Sequence, residues 1–411
     1  MSRRRGSRPP EANVQKHTID LSKPPRERYK ALAKTYYTKI QGLTPLFNSL
    51  LADLGIPPKR HGIVNKAANL LLRRVYTSVE TAELKGIAEV TGMPMYLLVS
   101  FNVILDLLMG CTSGAVRAVK EDTPSAVSRM LHYRTLDWGM DPLRDIVVQL
   151  NFVRSKSEKP SEIIAKSITY VGFVGVLTGV RPQLSLSLNF RPVHNAATRG
   201  EQFRFYLHHL LVLLGLRQSI SSILRQYLFP EKATDAAEGL DDISKSLPSK
   251  HTTAAYLIFS NGDETITMEK DFSTAIVRRS STFIVATNHD KEDRVSQPNA
   301  TTPAGEHAVI TAKAAGLAEL LDESKDRMEC IAKKWKDELR SRKRVASLVN
   351  GVFDESEVAI QAEKVIQWVS AWPTTNETTH YAVVMDPKLN QVVWAHAYAN
   401  PPKEPTYRYQ L

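Results

Sequence analysis

The chain reads as an α+β protein, a layered αββα body preceded by an N-terminal helical lobe. Three observations carry that reading. Residues 26–110 repeat apolar side chains at three- and four-residue steps, as in Leu32, Tyr36, Ile40, Leu43 and Leu46, which is helical spacing. From Gly110 the pattern changes to short alternating or continuous apolar runs separated by Gly and Pro, which builds sheets. Two turns, Asn261-Gly262-Asp263 and Pro387 to Asn390, sit between such runs and signal hairpins.

Taken in order, residues 1–25 begin with a run rich in Arg and Pro and read as a basic, disordered tail. Pro57 and Pro58 break the first helical stretch; helical spacing resumes through 65–79 and 83–91, and Pro94 opens a last helix over 95–109. Strands are expected at 114–119, 127–133, 146–153, 168–176 and 184–190. Residues 200–227 return to helix, 256–259 pairs with 265–268, and 281–287 adds a strand. A charged helix over 304–347 and a hairpin of 381–385 with 391–396 complete the chain. The expected domains are the tail (1–25), a helical α-fragment (26–110) and a sheet-bearing catalytic β-fragment (111–411).

With 411 residues, 43% hydrophobic and 24% charged, the chain buries a sizeable core. Lys and Arg exceed Asp and Glu by 54 to 43, a formal charge of +11, which favours anionic membrane surfaces. Neither zinc-finger spacing nor an aromatic-basic ribonucleoprotein motif is present, so nucleic acid is not an expected partner. No apolar run is long enough to span a bilayer. The basic start has no apolar stretch after it, which favours a cytoplasmic or membrane-associated protein over a secreted one. Cys111 and Cys330 are the only cysteines, too few for a disulfide framework.

Cys111 stands at the change from helix to sheet, in Leu108-Met-Gly-Cys-Thr-Ser-Gly. A lone cysteine is usually a small buried hydrophobe. Here Gly110 leaves its carbonyl unobstructed, small residues follow, and a hydrophobic helix leads into the junction. Cleavage between Gly110 and Cys111 gives one residue both a thiol nucleophile and an α-amine with a reference pKa near 8, able to act as its base. Downstream, Arg134 and Asp137 stand three apart at a strand end; they read as a pair in which Arg holds Asp and Asp orients the amine, against the blander reading of a surface salt bridge. His208 and His209 lie on an apolar helix without partners at metal-ligand spacing and read as interior histidines; no metal or other cofactor is expected.

The sequence resembles the acid ceramidase family, with its sister N-acylethanolamine acid amidases and the more distant choloylglycine hydrolases. The resemblance rests on ordered blocks: His17-Thr-Ile-Asp-Leu, Glu83-Leu-Lys-Gly-Ile-Ala-Glu-Val-Thr-Gly-Met-Pro, Val99-Ser-Phe-Asn-Val, Cys111-Thr-Ser, Arg134-Thr-Leu-Asp, Tyr170-Val-Gly-Phe-Val-Gly-Val-Leu-Thr-Gly, Leu184-Ser-Leu-Ser-Leu-Asn and Thr287-Asn-His-Asp. It implies an N-terminal-nucleophile hydrolase fold and a precursor cut before Cys111. It also implies a cofactor-independent attack by Cys111 on a lipid N-acyl amide, most directly ceramide, with a fatty acid ethanolamide as the alternative substrate. Arg134 and Asp137 match residues that position the thiol and amine, and Asn288 matches an Asn that helps stabilise the oxyanion. Asn189 and Trp138 are expected to contact substrate. The implied partners are the lipid amide, a membrane or micelle surface, and the chain's own two fragments.

Two departures stand out. The family's Arg after the Asn motif has its nearest match at Arg327, in Glu323-Ser-Lys-Asp-Arg-Met, with Arg294 as rival. Phe190 follows Asn189 where acid ceramidases often carry Glu, which bears on positioning or substrate preference. Cys330 aligns near a cysteine that bridges subunits in some relatives; with only Cys111 to pair with, it reads as a free thiol. A catalytically idle, lipid-binding homologue is the reading from a different class, and retention of Cys111, Arg134, Asp137 and Asn288 together argues against it.

Overall fold

The computed structural model describes residues 10–53, 56–104, 110–119, 127–196, 198–230, 237–291, 308–309, 317–348 and 351–404. The N-terminal lobe is built from α1 (Pro25–Arg28), α2 (Lys30–Thr35), α3 (Tyr37–Gln41), α4 (Leu46–Asp53), α5 (Pro58–Leu71), α6 (Ser78–Thr91) and α7 (Met95–Ile104). Thr77 caps α6 through its side chain and Gly92, at φ +69°, ends it in the left-handed conformation that glycine tolerates. Helix α5 stops at Leu71, short of the expected 79.

One large sheet runs β1 (Gln15–Asp20), β4 (Val147–Val153), β5 (Ala165–Tyr170), β6 (Thr178–Arg181), β7 (Leu184–Phe190), β9 (Ala255–Ser260), β10 (Thr265–Lys270) and β11 (Ala275–Ser280). A second runs β12 (Phe283–Ala286), β2 (Gly110–Val119), β3 (Arg129–Asp137), β15 (Thr379–Asp386) and β16 (Gln391–Ala397), with β14 (Ile360–Gln361) also on β2. A short pair joins β8 (Val193–His194) to β13 (Ala308–Val309). The large sheet carries α9 (Ile220–Leu228) on β6 and β7, and the second carries α11 (Leu317–Leu348) and α12 (Ala362–Ser370). The layers therefore run helix, sheet, sheet, helix. The remaining helices are α8 (Arg199–Leu213), packed on α7, and α10 (Leu240–Ser246).

Two cores follow from this layering. Val116, Leu131, Tyr133 and Val384 of the second sheet pack against Ile331, Trp335, Val365 and Val369 of α11 and α12. The larger core joins the helical lobe to the large sheet through Leu84, Leu98, Leu186, Leu188 and Leu224. Between the sheets the filling is partly polar: His132 bonds Ser185 and Ser187 at 2.9 and 2.8 Å, and Ser113 donates to Asn189 at 2.6 Å.

The structure corrects several expectations. Residues 15–20, assigned to the tail, form β1, an edge strand parallel to β4. The expected helix over 200–227 is two helices, α8 and α9, separated at Gly215 by a turn with φ +65°. The strand expected at 168–176 ends at Tyr170, and β11 was not anticipated. Both hairpins lie where their turns placed them. The boundary drawn at 110/111 is not a boundary between layers, because β1 comes from one side of it and pairs with a strand from the other.

Candidate active site

Cys111 is the second residue of β2 and has no solvent exposure. Strand β2 pairs with β3 in a register that sets Gly110 opposite Asp137, Cys111 opposite Leu136 and Ser113 opposite Arg134. Side chains alternate between faces at each step along a strand, so Cys111 and Arg134 point toward the large sheet while Asp137 points the other way. Gly114 sets how closely β12 approaches: a Cβ there would collide with the Ile284 carbonyl and the Tyr133 hydroxyl.

Arg134 donates from Nη2 to the Cys111 sulfur at 3.3 Å and is held by the Leu177 carbonyl and the Thr178 hydroxyl. It makes no ion pair with Asp137. The expected pairing fails because positions three apart in a strand lie on opposite faces. The cation near Asp137 is Arg327 of α11, with Nε 3.8 Å from Oδ2. Thr379 donates to Asp137 Oδ1 at 2.6 Å, and Oδ2 has no hydrogen-bond partner.

Arg327 is buried; it donates from Nε to Thr112 Oγ1 at 3.1 Å and from Nη2 to Asn288 Oδ1 at 2.9 Å. The Cys111 backbone N–H donates to the same Asn288 oxygen at 2.8 Å, while Asn288 Nδ2 donates to the Phe190 carbonyl at 2.8 Å. The partners fix this orientation, since an N–H and a guanidinium only donate and a carbonyl only accepts. The oxyanion role expected for Asn288 needs its N–H groups at Cys111. Its oxygen is there instead, accepting from the Cys111 backbone N–H.

Asn189, expected to contact substrate, is fully buried with its amide committed: Oδ1 accepts from Ser113, and Nδ2 donates to the carbonyls of Ala286 and Thr287 at 3.0 and 3.3 Å. It acts on the loop that carries Asn288. Trp138 follows Asp137 directly and lines an apolar cavity with Phe47, Leu97, Leu98, Phe101 and Met140. Of the two rival arginines, Arg327 lies among the site residues and Arg294 lies outside the described residues. Thr112, Thr178, Thr379 and Ser324 were not anticipated; each comes from a different element and has no local sequence signal.

Elsewhere, His208 is buried with Nδ1 near Arg217, and His209 Nδ1 lies 2.9 Å from the Phe205 carbonyl. Among the described residues, no group of three or more His, Cys, Asp or Glu side chains is placed to hold a metal ion. Cys111 and Cys330 are both free, the latter half-buried on α11.

Burial pushes the Cys111 thiol up, and the Arg134 cation beside it pulls the other way. Burial also lifts Asp137 to about 6, against the pull of Arg327. A carboxyl raised on folding costs stability once pH exceeds its unfolded value, because the native state then holds a proton that the unfolded state has lost. In a Cys111→Ala background, Asp137→Asn is therefore expected to leave stability unchanged near pH 4 and to raise it by about 2–3 kcal/mol at pH 7. Urea unfolding at both pH values checks this; equal effects at the two would contradict the lifted carboxyl.

Comparison with known proteins adds to this geometry. A family model described as the beta subunit of N-acylethanolamine-hydrolyzing acid amidase matches residues 12–76. That segment lies wholly on the N-terminal side of Cys111, mostly in the part expected above as the helical α-fragment. Acid ceramidase of Heterocephalus glaber is 27% identical over 300 residues, covering 67% of this chain and 69% of the relative. The N-acylethanolamine-hydrolyzing acid amidase of Caenorhabditis elegans is 28% identical over 186 residues, 43% of this chain and 47% of the relative. A solved structure of a Caenorhabditis elegans ortholog of that amidase is similar with a TM-score of 0.45 and 20% identity, covering 70% of this chain and all of the other.

Proposed function

The chain belongs to the family that unites acid ceramidases and N-acylethanolamine acid amidases, amidohydrolases of linear amides, and on that premise we propose that it cuts itself before Cys111 and then hydrolyses a lipid N-acyl amide, ceramide in the first place. The observation that carries the reading is the pair of acceptors at this end of the strand: Asn288 Oδ1 already holds the Cys111 nitrogen, and Asp137 Oδ2, on the residue across the ladder from Gly110, has Arg327 near it but accepts no hydrogen bond. Cutting the Gly110–Cys111 bond turns one N–H into an amine with protons for both.

The thiol attacks the Gly110 carbonyl, the acyl group moves from nitrogen to sulfur, and water hydrolyses the thioester to leave a Gly110 carboxylate and a free Cys111 amine. In turnover, that amine takes the thiol proton and the sulfur attacks the substrate carbonyl. The proton passes to the departing amine, a sphingoid base for ceramide, and water releases the fatty acid from the acyl-thioester. Arg134 favours the thiolate by its charge at 3.3 Å. Ceramide is placed first because the longer sequence matches are to acid ceramidases, and the substrate assay below decides between it and an ethanolamide.

A bilayer-borne substrate also suits the surface of the helical lobe. On α8, Phe203, Tyr206, Leu207 and Leu210 recur at helical spacing and are exposed, as are Ile63 and Leu70 of α5; both helices pack on α7. Exposed Lys59, Arg60, Lys66, Arg73 and Arg74 accompany them, the mixture that favours an anionic lipid surface.

The test is fatty acid release from ceramide and from N-acylethanolamine, each presented in neutral and in anionic vesicles. Ceramide is expected to turn over faster, anionic vesicles to raise the rate several-fold, and Phe203→Asp with Leu210→Asp to remove that gain. Equal rates on short soluble amides, indifferent to lipid, would sink the lipid amidase reading.

A further inference from the structure

The loop that presents Asn288 has no ladder of its own. Strand β12 pairs with β2 only as far as Ala286 opposite Ser113, so residues 287 and 288 run beyond the last strand pair. Side chains from other elements hold them instead. Asn189 of β7 donates to the carbonyls of Ala286 and Thr287. On the far side, Arg191 grips Asp290 with both arms, at 2.8 and 2.6 Å, and the Tyr256 hydroxyl joins at 2.9 Å.

Ser324 of α11 occupies the middle. Its hydroxyl has no solvent exposure and its hydrogen bonds go to three successive loop residues: it accepts from the Asn288 backbone N–H at 2.7 Å and lies 2.9 Å from Thr287 Oγ1 and 2.8 Å from His289 Nδ1. Arg327 follows three residues later, on the same face of the helix, and reaches the Asn288 side chain. One turn of α11 thus holds Asn288 by its backbone and by its amide oxygen.

We propose that Ser324 is a positioning residue for the Cys111 site, setting the Asn288 backbone so that its amide oxygen meets the Cys111 nitrogen. The proposal rests on the amidohydrolase reading above for its kinetic consequence, though not for its geometry. Removing the hydroxyl deletes its hydrogen bonds to Thr287, Asn288 and His289 together, and the loop loses what sets its position. The nucleophile's nitrogen then loses its fixed acceptor while the apolar cavity lined by Leu97, Phe101 and Trp138 is untouched.

Ser324→Ala is expected to lower kcat on the N-acyl amide roughly ten- to a hundredfold, to leave KM within about twofold, and to slow fragment formation alongside. Ser324→Thr, which keeps the hydroxyl, should restore most of the rate; a purely structural loss would not depend on the hydroxyl in this way. A crystal structure of Ser324→Ala should show Asn288 Oδ1 out of hydrogen-bond reach of Cys111 N. Unchanged kcat, or an unmoved Asn288 beside a fallen kcat, overturns the proposal. Should wild-type protein release fatty acid from no N-acyl amide, the proposed function falls and the crystal structure alone decides: a displaced Asn288 upholds the positioning role, an unmoved one ends it.

Discussion

Replacing Cys111 with Ala is expected to leave a single full-length chain and to take amide turnover down by about a million-fold, the scale on which loss of a catalytic nucleophile acts. Both effects come from one atom. In the proposed mechanism the sulfur is the nucleophile for the Gly110 carbonyl and for the substrate. A denaturing gel with N-terminal sequencing reads the first effect, where wild-type protein should give a smaller band beginning at Cys111. Cys111→Ser should still cut, slowly, because a hydroxyl can make the acyl shift but attacks poorly. An uncut wild-type chain at full activity would refute self-processing and leave the hydrolytic reading to stand on turnover alone.

The second large effect is expected at Glu83, far from the chemistry. Glu83 on α6 is fully buried and takes two hydrogen bonds from Arg225 of α9, at 2.5 and 2.8 Å, and one from Arg28 of α1 at 2.9 Å. Nearby, Ser222 donates to Glu80 at 2.6 Å, and burial raises that carboxyl. The bonds from Arg225 and Ser222 cross from residues before Cys111 to residues after it. Glu83→Ala leaves Arg225 charged and buried without its main partner, at a cost of about 3–5 kcal/mol. Gel filtration of the cut protein should show the two fragments coming apart, whereas Glu83→Gln, which keeps an acceptor, should hold them better. Intact complexes of Glu83→Ala at low protein concentration would mean that apolar contacts alone suffice.

The sequence carried the architecture further than the site. Period told helix from strand wherever one face meets a core, and the two hairpins followed from turn residues that have few other uses. The same period was overlooked between Arg134 and Asp137, where nearness along the chain suggested a pair that strand geometry forbids. The Leu-Ser-Leu-Ser-Leu-Asn run of β7 would ordinarily mark a strand with one wet face; here the polar face is dry and meets His132 and Ser113 of the opposite sheet. A pattern of alternation does not say whether water or another sheet supplies the partners. Asn189 was misjudged for that reason. Ser324, Thr379 and the Glu83–Arg225 pair were beyond sequence reasoning, since each joins residues that only the fold brings together.

Strand β1 has a consequence for how the protein comes to exist at all. It lies on the edge of the large sheet, hydrogen-bonded in parallel to β4, more than a hundred residues away and on the other side of Cys111. In the uncut chain the two strands find each other as parts of one molecule, helped by the covalent tether. If the chain cuts itself before Cys111 as proposed, the tether is gone and the same pairing becomes a meeting of two molecules. The proposal then requires an order of events: the chain folds first and severs itself second. A chain so cut would keep a shape whose assembly instructions it has partly destroyed, held by the height of the barrier to losing β1 and the helical lobe as much as by the depth of the well.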